Sequence, residues 1–306
     1  MRALVIGASG QVGAALVEAL RARGHEAVST YASRAVPDGF PLDLRDAAAV
    51  EHALAYVKPE WVLCPAAMAH VDRCEREPDE AVAVNRDGAL HAARMAQRVG
   101  ARFVYFSTDY VFDGAAGPYA EEDPPRPLSV YGRSKLEGER AILDAVPGAV
   151  VVRTSVVYGR DPQERNFVYQ VLQSARGARR LRPARDQRSS PTYSRDLAAA
   201  VLELCERGLD GLWHLAGAAT LDRLAFARLV CETWGLDSDW LVPVTTAELA
   251  QPAPRPLRGG LRIDKARRLL RTPLRDQREG LRAMRAEVPG PAAEAPATGP
   301  VGGPVG

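Results

Sequence analysis

Tyr131 and Lys135 sit in the run Tyr131-Gly132-Arg133-Ser134-Lys135. Four residues apart on a helix, two side chains share one face, a turn from each other. An ammonium beside a phenol stabilises the phenolate, drawing the tyrosine pKa toward a range useful for general acid work on a carbonyl. Lysine is scarce here: of 40 lysines and arginines only Lys58, Lys135 and Lys265 are lysine. A chain so biased toward arginine still uses lysine at 135, where a compact ammonium suits this task better than a planar guanidinium. On spacing alone the pair equally describes an exposed helix couple, so its meaning depends on its surroundings.

Upstream lies Ser107-Thr108-Asp109-Tyr110-Val111-Phe112-Asp113-Gly114, just after an apolar strand-like run. Ligands of doubly wound sheets sit outside the carboxyl ends of strands, which suits Thr108 to chemistry. Its hydroxyl can hold a substrate carbonyl. As a simple turn, Thr108 and Asp109 would instead only end the strand.

Gly7, Gly10 and Gly13 supply a third feature, between the apolar run Ala3 to Ile6 and a helical pattern. In that strand-turn-helix setting Gly7 permits the tight turn, Gly10 lets the backbone approach a pyrophosphate, and Gly13 allows close helix packing. The helix N-terminus offers free N–H groups to phosphates. After the second strand stands Thr30-Tyr31-Ala32-Ser33-Arg34, with no acid at the strand end. An acid would bind a free ribose 2′-hydroxyl, whereas Arg34 can accommodate a 2′-phosphate. The expectation is NADPH over NADH, with NADH still open and with Arg34 also readable as a solvated loop residue.

These features need elements to position them. Apolar runs predict strands at Ala3 to Ile6, Ala27 to Thr30, Trp61 to Cys64, Phe103 to Phe106, Val150 to Arg153 and Leu212 to Leu215. Helical patterns fall between them: Ala14 to Leu20 closed by Gly24, a helix capped by Asp46 to about Val57, Ala81 to Val99, and Ser129 to Leu143. Later helices are predicted at Asn166 to Ala175, Ser194 to Glu206 and Arg223 to Trp234. Such alternation predicts an α/β Rossmann-type fold, a doubly wound parallel sheet with helices on both faces. The Pro-, Gly- and Ala-rich tail 289–306 has little to bury and is expected to be disordered.

The bulk composition of the 306 residues, 46% hydrophobic and 25% charged with net charge +2, is ordinary for a soluble chain. It gives no reason to invoke a nucleic acid or a membrane as partner. The cysteines Cys64, Cys74, Cys205 and Cys231 are scattered without metal-ligand spacing, so neither zinc nor a disulfide framework is expected. The N-terminal apolar run meets Gly7 at once, too short for a signal peptide, and a cytoplasmic location is expected.

The chain resembles the extended short-chain dehydrogenase/reductases, specifically the dTDP-4-dehydrorhamnose reductase family, from Met1 to about Arg285. The carriers are Gly7 to Gly13, Ala66-Ala67 with Val71-Asp72-Arg73-Cys74-Glu75, Val84-Asn85, Ser107 to Gly114 and Tyr131 to Lys135. Further on they are Arg153 to Gly159, Asp186 to Thr192, and Arg255-Pro256 ahead of Leu261. The resemblance implies Thr108, Tyr131 and Lys135 as the catalytic set, with Tyr131 the proton donor and Lys135 on the nicotinamide ribose. Gly7, Gly10, Gln11, Val12 and Gly13 would hold the pyrophosphate, Asp43 and Leu44 the adenine side, Ala66 and Ala67 the middle of the cofactor. Thr108, Asp109, Asn166, Phe167, Arg188 and Arg255 would meet the sugar nucleotide, the arginines facing its diphosphate.

There are departures. Val156 stands where the family usually has tryptophan, and Met68-Ala69-His70 replaces more usual polar residues, His70 reading as a loop histidine or a substrate contact. Ala15 replaces a glutamate that some members use for magnesium at a dimer contact, so no metal is expected, and a homodimer stays open. The expected activity is NADPH-dependent reduction of a nucleotide-linked 4-keto-6-deoxysugar. The chain is also similar to the regulatory beta subunit of methionine adenosyltransferase, an alternative without catalysis. A dehydratase or epimerase is disfavoured because Thr108-Asp109 replaces the usual Asp-Glu after threonine. The expected division is a cofactor domain of residues 1–155 plus 191–217 and a substrate domain of 156–190 plus 218–288, with a cleft between.

Overall fold

The computed structural model describes residues 1–288, so the tail expected to be disordered lies outside the described residues. Among the described residues eleven strands form: β1 (Arg2–Ile6), β2 (Glu26–Tyr31), β3 (Gly39–Pro41), β4 (Trp61–Cys64), β5 (Arg102–Thr108), β6 (Val150–Thr154), β7 (Val157–Tyr158), β8 (Arg188–Ser189), β9 (Thr192–Tyr193), β10 (Gly211–His214) and β11 (Leu221–Asp222). Seven make one parallel sheet in the order β3-β2-β1-β4-β5-β6-β10. The strand order reverses between β1 and β4, and ligands of such sheets bind at that switch, beyond the carboxyl ends of the strands.

Alternation along β1 shows how the sheet is buried. Ala3 and Val5 join a core with Leu16, Leu20 and Leu197, while Leu4 and Ile6 join one with Leu54, Val62 and Phe103. Both faces are therefore apolar, as a helix-covered parallel strand requires. The helices Gln11–Ala22 and Ser194–Glu206 serve the first core. Ala47–Val57 and Ala89–Arg98 serve the second. A third cluster lies apart from the sheet and joins Tyr158, Phe167, Leu172, Phe226, Trp234 and Met284. It draws on the helices Phe167–Arg176, Arg223–Trp234 and Gln277–Glu287.

Most predicted elements form within a residue or two of their expected ends. Asp46 and Ser129 cap their helices through bonds from the Ala49 and Gly132 N–H groups. One prediction changes. The expected helix Ala81 to Val99 is broken into Pro78–Val82, a wide π turn Ala83–Gly88, and Ala89–Arg98. Residues 39–41, to which the pattern assigns no element, pair with β2 at the sheet edge. No helix among the described residues is long and apolar enough to cross a membrane.

Candidate active site

The glycine turn shapes the first wall of the site. Gly7 has φ +97°, a left-handed conformation that costs glycine nothing. A Cβ on Gly13 would strike the Gly7 carbonyl oxygen and come within 2.8 Å of the Ala8 Cα. At Gly10 the nearest atom to an added Cβ is 3.5 Å away, so the protein itself leaves room there. Gly10 instead lines a groove of about 440 Å³ with Gly7, Asp43, Leu44, Ala66 and Ala67. Helix Gln11–Ala22 begins at this groove without a side-chain cap, leaving its first N–H groups free for an anion.

The other expected cofactor residues are placed less simply. Val12 packs against the core, and the Gln11 amide nitrogen is buried without a partner. Arg34 is exposed and its guanidinium reaches the Pro162 carbonyl at 3.4 Å, while Ala32 and Ser33 line the groove. Asp43 is held by Arg45, whose Nη2 donates at 2.6 Å and keeps the carboxyl below its usual range. A groove with a glycine cradle and a free helix N-terminus, the latter carrying the unpartnered Gln11 amide, fits an extended dinucleotide.

Beyond β5 the proposed chemistry residues gather. Thr108 ends the strand, and its Oγ accepts from the Tyr110 N–H at 3.2 Å. Tyr131 and Lys135 lie on the helix Val130–Ala145, Tyr131 against Met68 and Cys74. The helical spacing leads one to expect that Lys135 lowers the Tyr131 pKa. Instead burial pushes the phenol up, and the Thr108 hydroxyl beside it acts the other way. Lys135 itself is buried, its ammonium lacking any hydrogen-bond partner and lying 3.8 Å from the centre of the Tyr105 ring. Burial draws its pKa down to about 7, opposed by the charge of Glu139 among others. Desolvation thus dominates both groups, over the Thr108 hydrogen bond at Tyr131 and over the nearby negative groups at Lys135.

Asn85 organises this corner. In the π turn its amide accepts from the Met68 N–H at 2.9 Å and donates to the Met68 carbonyl at 3.1 Å and the Ser134 Oγ at 3.0 Å. The groove loop and the Tyr131 helix are thereby fixed to each other. Single π turns recur at functional sites. Asp109 is also buried, which raises its carboxyl to about 6 against hydrogen bonds from Ser155 and Thr108.

The groove meets a second cleft of about 460 Å³, and Ala69 and His70 line both. His70 caps the helix Val71–Arg76, its Nδ1 accepting from the Arg73 N–H at 3.2 Å. Phe167, Tyr110, Arg223 and Arg255 line the cleft. A smaller enclosed cavity beside it is lined by Asp109, Val156, Arg188 and Arg223. Val156 holds φ +38°, a strained backbone for a β-branched residue, of the kind that clusters at functional sites.

Two expected substrate contacts are already engaged. Asn166 caps the helix Phe167–Arg176 through the Val168 N–H at 3.1 Å and donates to the Gly159 carbonyl at 3.0 Å. Arg255 pairs with Asp72 at 2.9 Å. Arg188 is exposed, with one nitrogen on the Thr220 carbonyl at 3.2 Å. Sequence reasoning missed Arg223, Ser155 and Gln187; the only local signal for Arg223 is its place after the cap Asp222.

A Rossmann-type sheet with Thr108 at the carboxyl end of β5 and the helix of Tyr131 and Lys135 packed beside it defines a protein of the short-chain dehydrogenase/reductase class. The chain belongs to the RmlD substrate binding domain family, whose model matches residues 1–289. It is 38% identical over 290 residues to a dTDP-4-dehydrorhamnose reductase of Mycobacterium tuberculosis, covering 92% of this chain and 91% of that one. It is 34% identical to methionine adenosyltransferase 2 subunit beta of Xenopus tropicalis, over 90% of this chain and 85% of that one. The crystal structure of a dTDP-4-dehydrorhamnose reductase from Bacillus anthracis in complex with NADP superposes with TM-score 0.87 at 29% identity, over 94% and 99% of the two chains.

Proposed function

We propose that the protein is an NADPH-dependent reductase of a nucleotide-linked 4-keto-6-deoxysugar, with dTDP-4-dehydrorhamnose as substrate. The observation that carries this reading is the grouping of Thr108, Tyr131 and Lys135 at the carboxyl end of β5, with Tyr131 beside the Thr108 hydroxyl and packed on Met68, which lines the dinucleotide-shaped groove. Similarity to reductases over nine-tenths of the chain supports it. We take the third hydrophobic cluster as the core of a substrate domain built from residues 156–190 and 218–288.

Gly7, Gly10 and the N-terminus of helix Gln11–Ala22 would hold the pyrophosphate, and Lys135 the nicotinamide ribose. A nicotinamide held there would supply the hydride that the carbonyl carbon takes up. Thr108 holds the carbonyl oxygen, and Tyr131 delivers a proton to it. Burial keeps Tyr131 protonated, so it enters as an acid. The cleft walls keep water from the reacting centre.

The test is to mix the purified protein with dTDP-4-keto-6-deoxysugar and NADPH and follow loss of the reduced nicotinamide absorbance. Absence of oxidation with every nucleotide ketosugar tried would favour the second reading, a non-catalytic NADP-binding subunit, which the 34% identity to a methionine adenosyltransferase subunit supports. Comparing NADPH and NADH at equal concentration tests the cofactor preference.

A further inference from the structure

Arg182, Arg223 and Arg255 line the cleft and Arg188 lines the enclosed cavity beside it; Arg182 is exposed, with one nitrogen on the Glu248 carbonyl at 3.3 Å. Arg255 donates to Asp72 at 2.9 Å and to the Ala253 carbonyl at 3.1 Å. Arg188 donates to the Thr220 carbonyl at 3.2 Å. Arg223 differs. Its backbone is pinned, because Asp222 caps the helix and the Arg223 N–H donates to the Gln187 carbonyl at 3.1 Å. Its guanidinium carbon lies 4.6 Å from the centre of the Phe167 ring. Among the described residues its side chain makes no hydrogen bond and no ion pair. It is half-buried, and desolvation and the nearby Arg255 both oppose its charge, while Tyr110 and Asp109 favour it.

A recessed cation without a partner costs stability unless something else supplies the anion. Arg223 also lines both the 460 Å³ cleft and the enclosed cavity against Asp109, and so stands where the two meet. Tyr110 lines both spaces too, and its ring centre is 5.8 Å from that of Tyr131. One aromatic side chain therefore links the proton donor to the free cation. A hexose with its C4 carbonyl at Tyr131 carries its anomeric phosphate about one sugar ring away, and a guanidinium fork matches phosphate oxygens.

On the reductase reading above, we propose that Arg223 is a specificity-determining residue that binds the diphosphate of the nucleotide sugar. The stacked Phe167 ring keeps the fork in one plane, so little side-chain freedom is left to lose on binding. Arg255, neutralised by Asp72, shapes the wall, and the exposed Arg182 and Arg188 each reach a backbone carbonyl, whereas Arg223 is recessed at the meeting of the two spaces with its fork free to meet the ligand.

The experiment measures dTDP and thymidine binding to the full chain by calorimetry, for wild type, Arg223→Gln and Arg223→Lys. Arg223→Gln is expected to weaken dTDP by roughly ten-fold or more, as loss of a charge-assisted hydrogen bond does, with Arg223→Lys in between. Thymidine and NADPH affinities should not change. The ligand-free melting temperature of Arg223→Gln should equal or exceed that of wild type, whereas a residue with a purely structural role would lower it. Wild-type dTDP affinity retained in Arg223→Gln would overturn the assignment while the reductase reading stood. Failure of wild type to bind any nucleoside diphosphate would overturn both.

Discussion

The Ser155 Oγ donates a 2.5 Å hydrogen bond to the Asp109 Oδ2, joining the residues that directly follow β6 and β5. The same Ser155 oxygen accepts from the Ser190 N–H at 3.2 Å, so three segments meet at one hydroxyl. Ser155→Ala removes a donor that favours the ionised carboxylate. The Asp109 pKa, already raised to about 6, is therefore expected to rise further, read by carboxyl NMR titration. A stability loss of about 1–3 kcal/mol should accompany it, because the buried Ser190 N–H also loses its partner. An unchanged Asp109 titration would contradict the role given to Ser155.

Lys135 is the clearest conflict between stability and chemistry. Its folded pKa of about 7 lies below the ordinary lysine value of 10.5. Between those values the unfolded chain holds a proton that the folded chain does not, so this group destabilises the fold there, less so as pH rises. Lys135→Met should therefore be more stable than wild type at neutral pH by roughly 1–3 kcal/mol, while losing activity. Denaturant melts at neutral and alkaline pH check the sign. The advantage of the variant must shrink at alkaline pH.

Tyr131→Phe keeps the ring that packs on Met68 and Cys74 and removes the proposed acid. Turnover should fall by about 10²–10⁴ with NADPH affinity unchanged. Stopped-flow turnover and fluorescence titration separate the two quantities. Full activity in the variant would remove Tyr131 from the mechanism.

The two glycines of the turn should fail differently. Gly13→Ala forces a Cβ into the Gly7 carbonyl and against Ala8, and should lower stability by about 1–3 kcal/mol. Gly10→Ala meets nothing nearer than 3.5 Å and should fold as wild type does while losing NADPH affinity. Thermal melts and cofactor titration of both variants check this contrast.

Legibility in the sequence followed the range of the interaction. Ala3 to Ile6, Trp61 to Cys64, the Asp46 cap and the helix start near Ser129 are local signals, and they form as read. The grouping of Tyr131 and Lys135 is also local, being one helical turn. The pairing of Arg255 with Asp72 joins residues 183 positions apart, and no pattern in the chain foretells it. The same is true of Arg223, whose importance lies in a partner it lacks. The Tyr131 pKa is not legible from spacing, because desolvation depends on what surrounds the pair. Asn166 has the residue type of a cap, and the structure uses it as one.

The Asp72–Arg255 pair also has a consequence for the order in which the protein is made. Every residue lining the groove lies at or before Arg165, so that surface is complete in sequence when little more than half the chain has left the ribosome. The cleft beside it waits for Arg223, Leu249 and Arg255, and its wall is tied to Asp72 only when the last of these emerges. The groove and the cleft are thus separated in time during synthesis, with the cleft closed last.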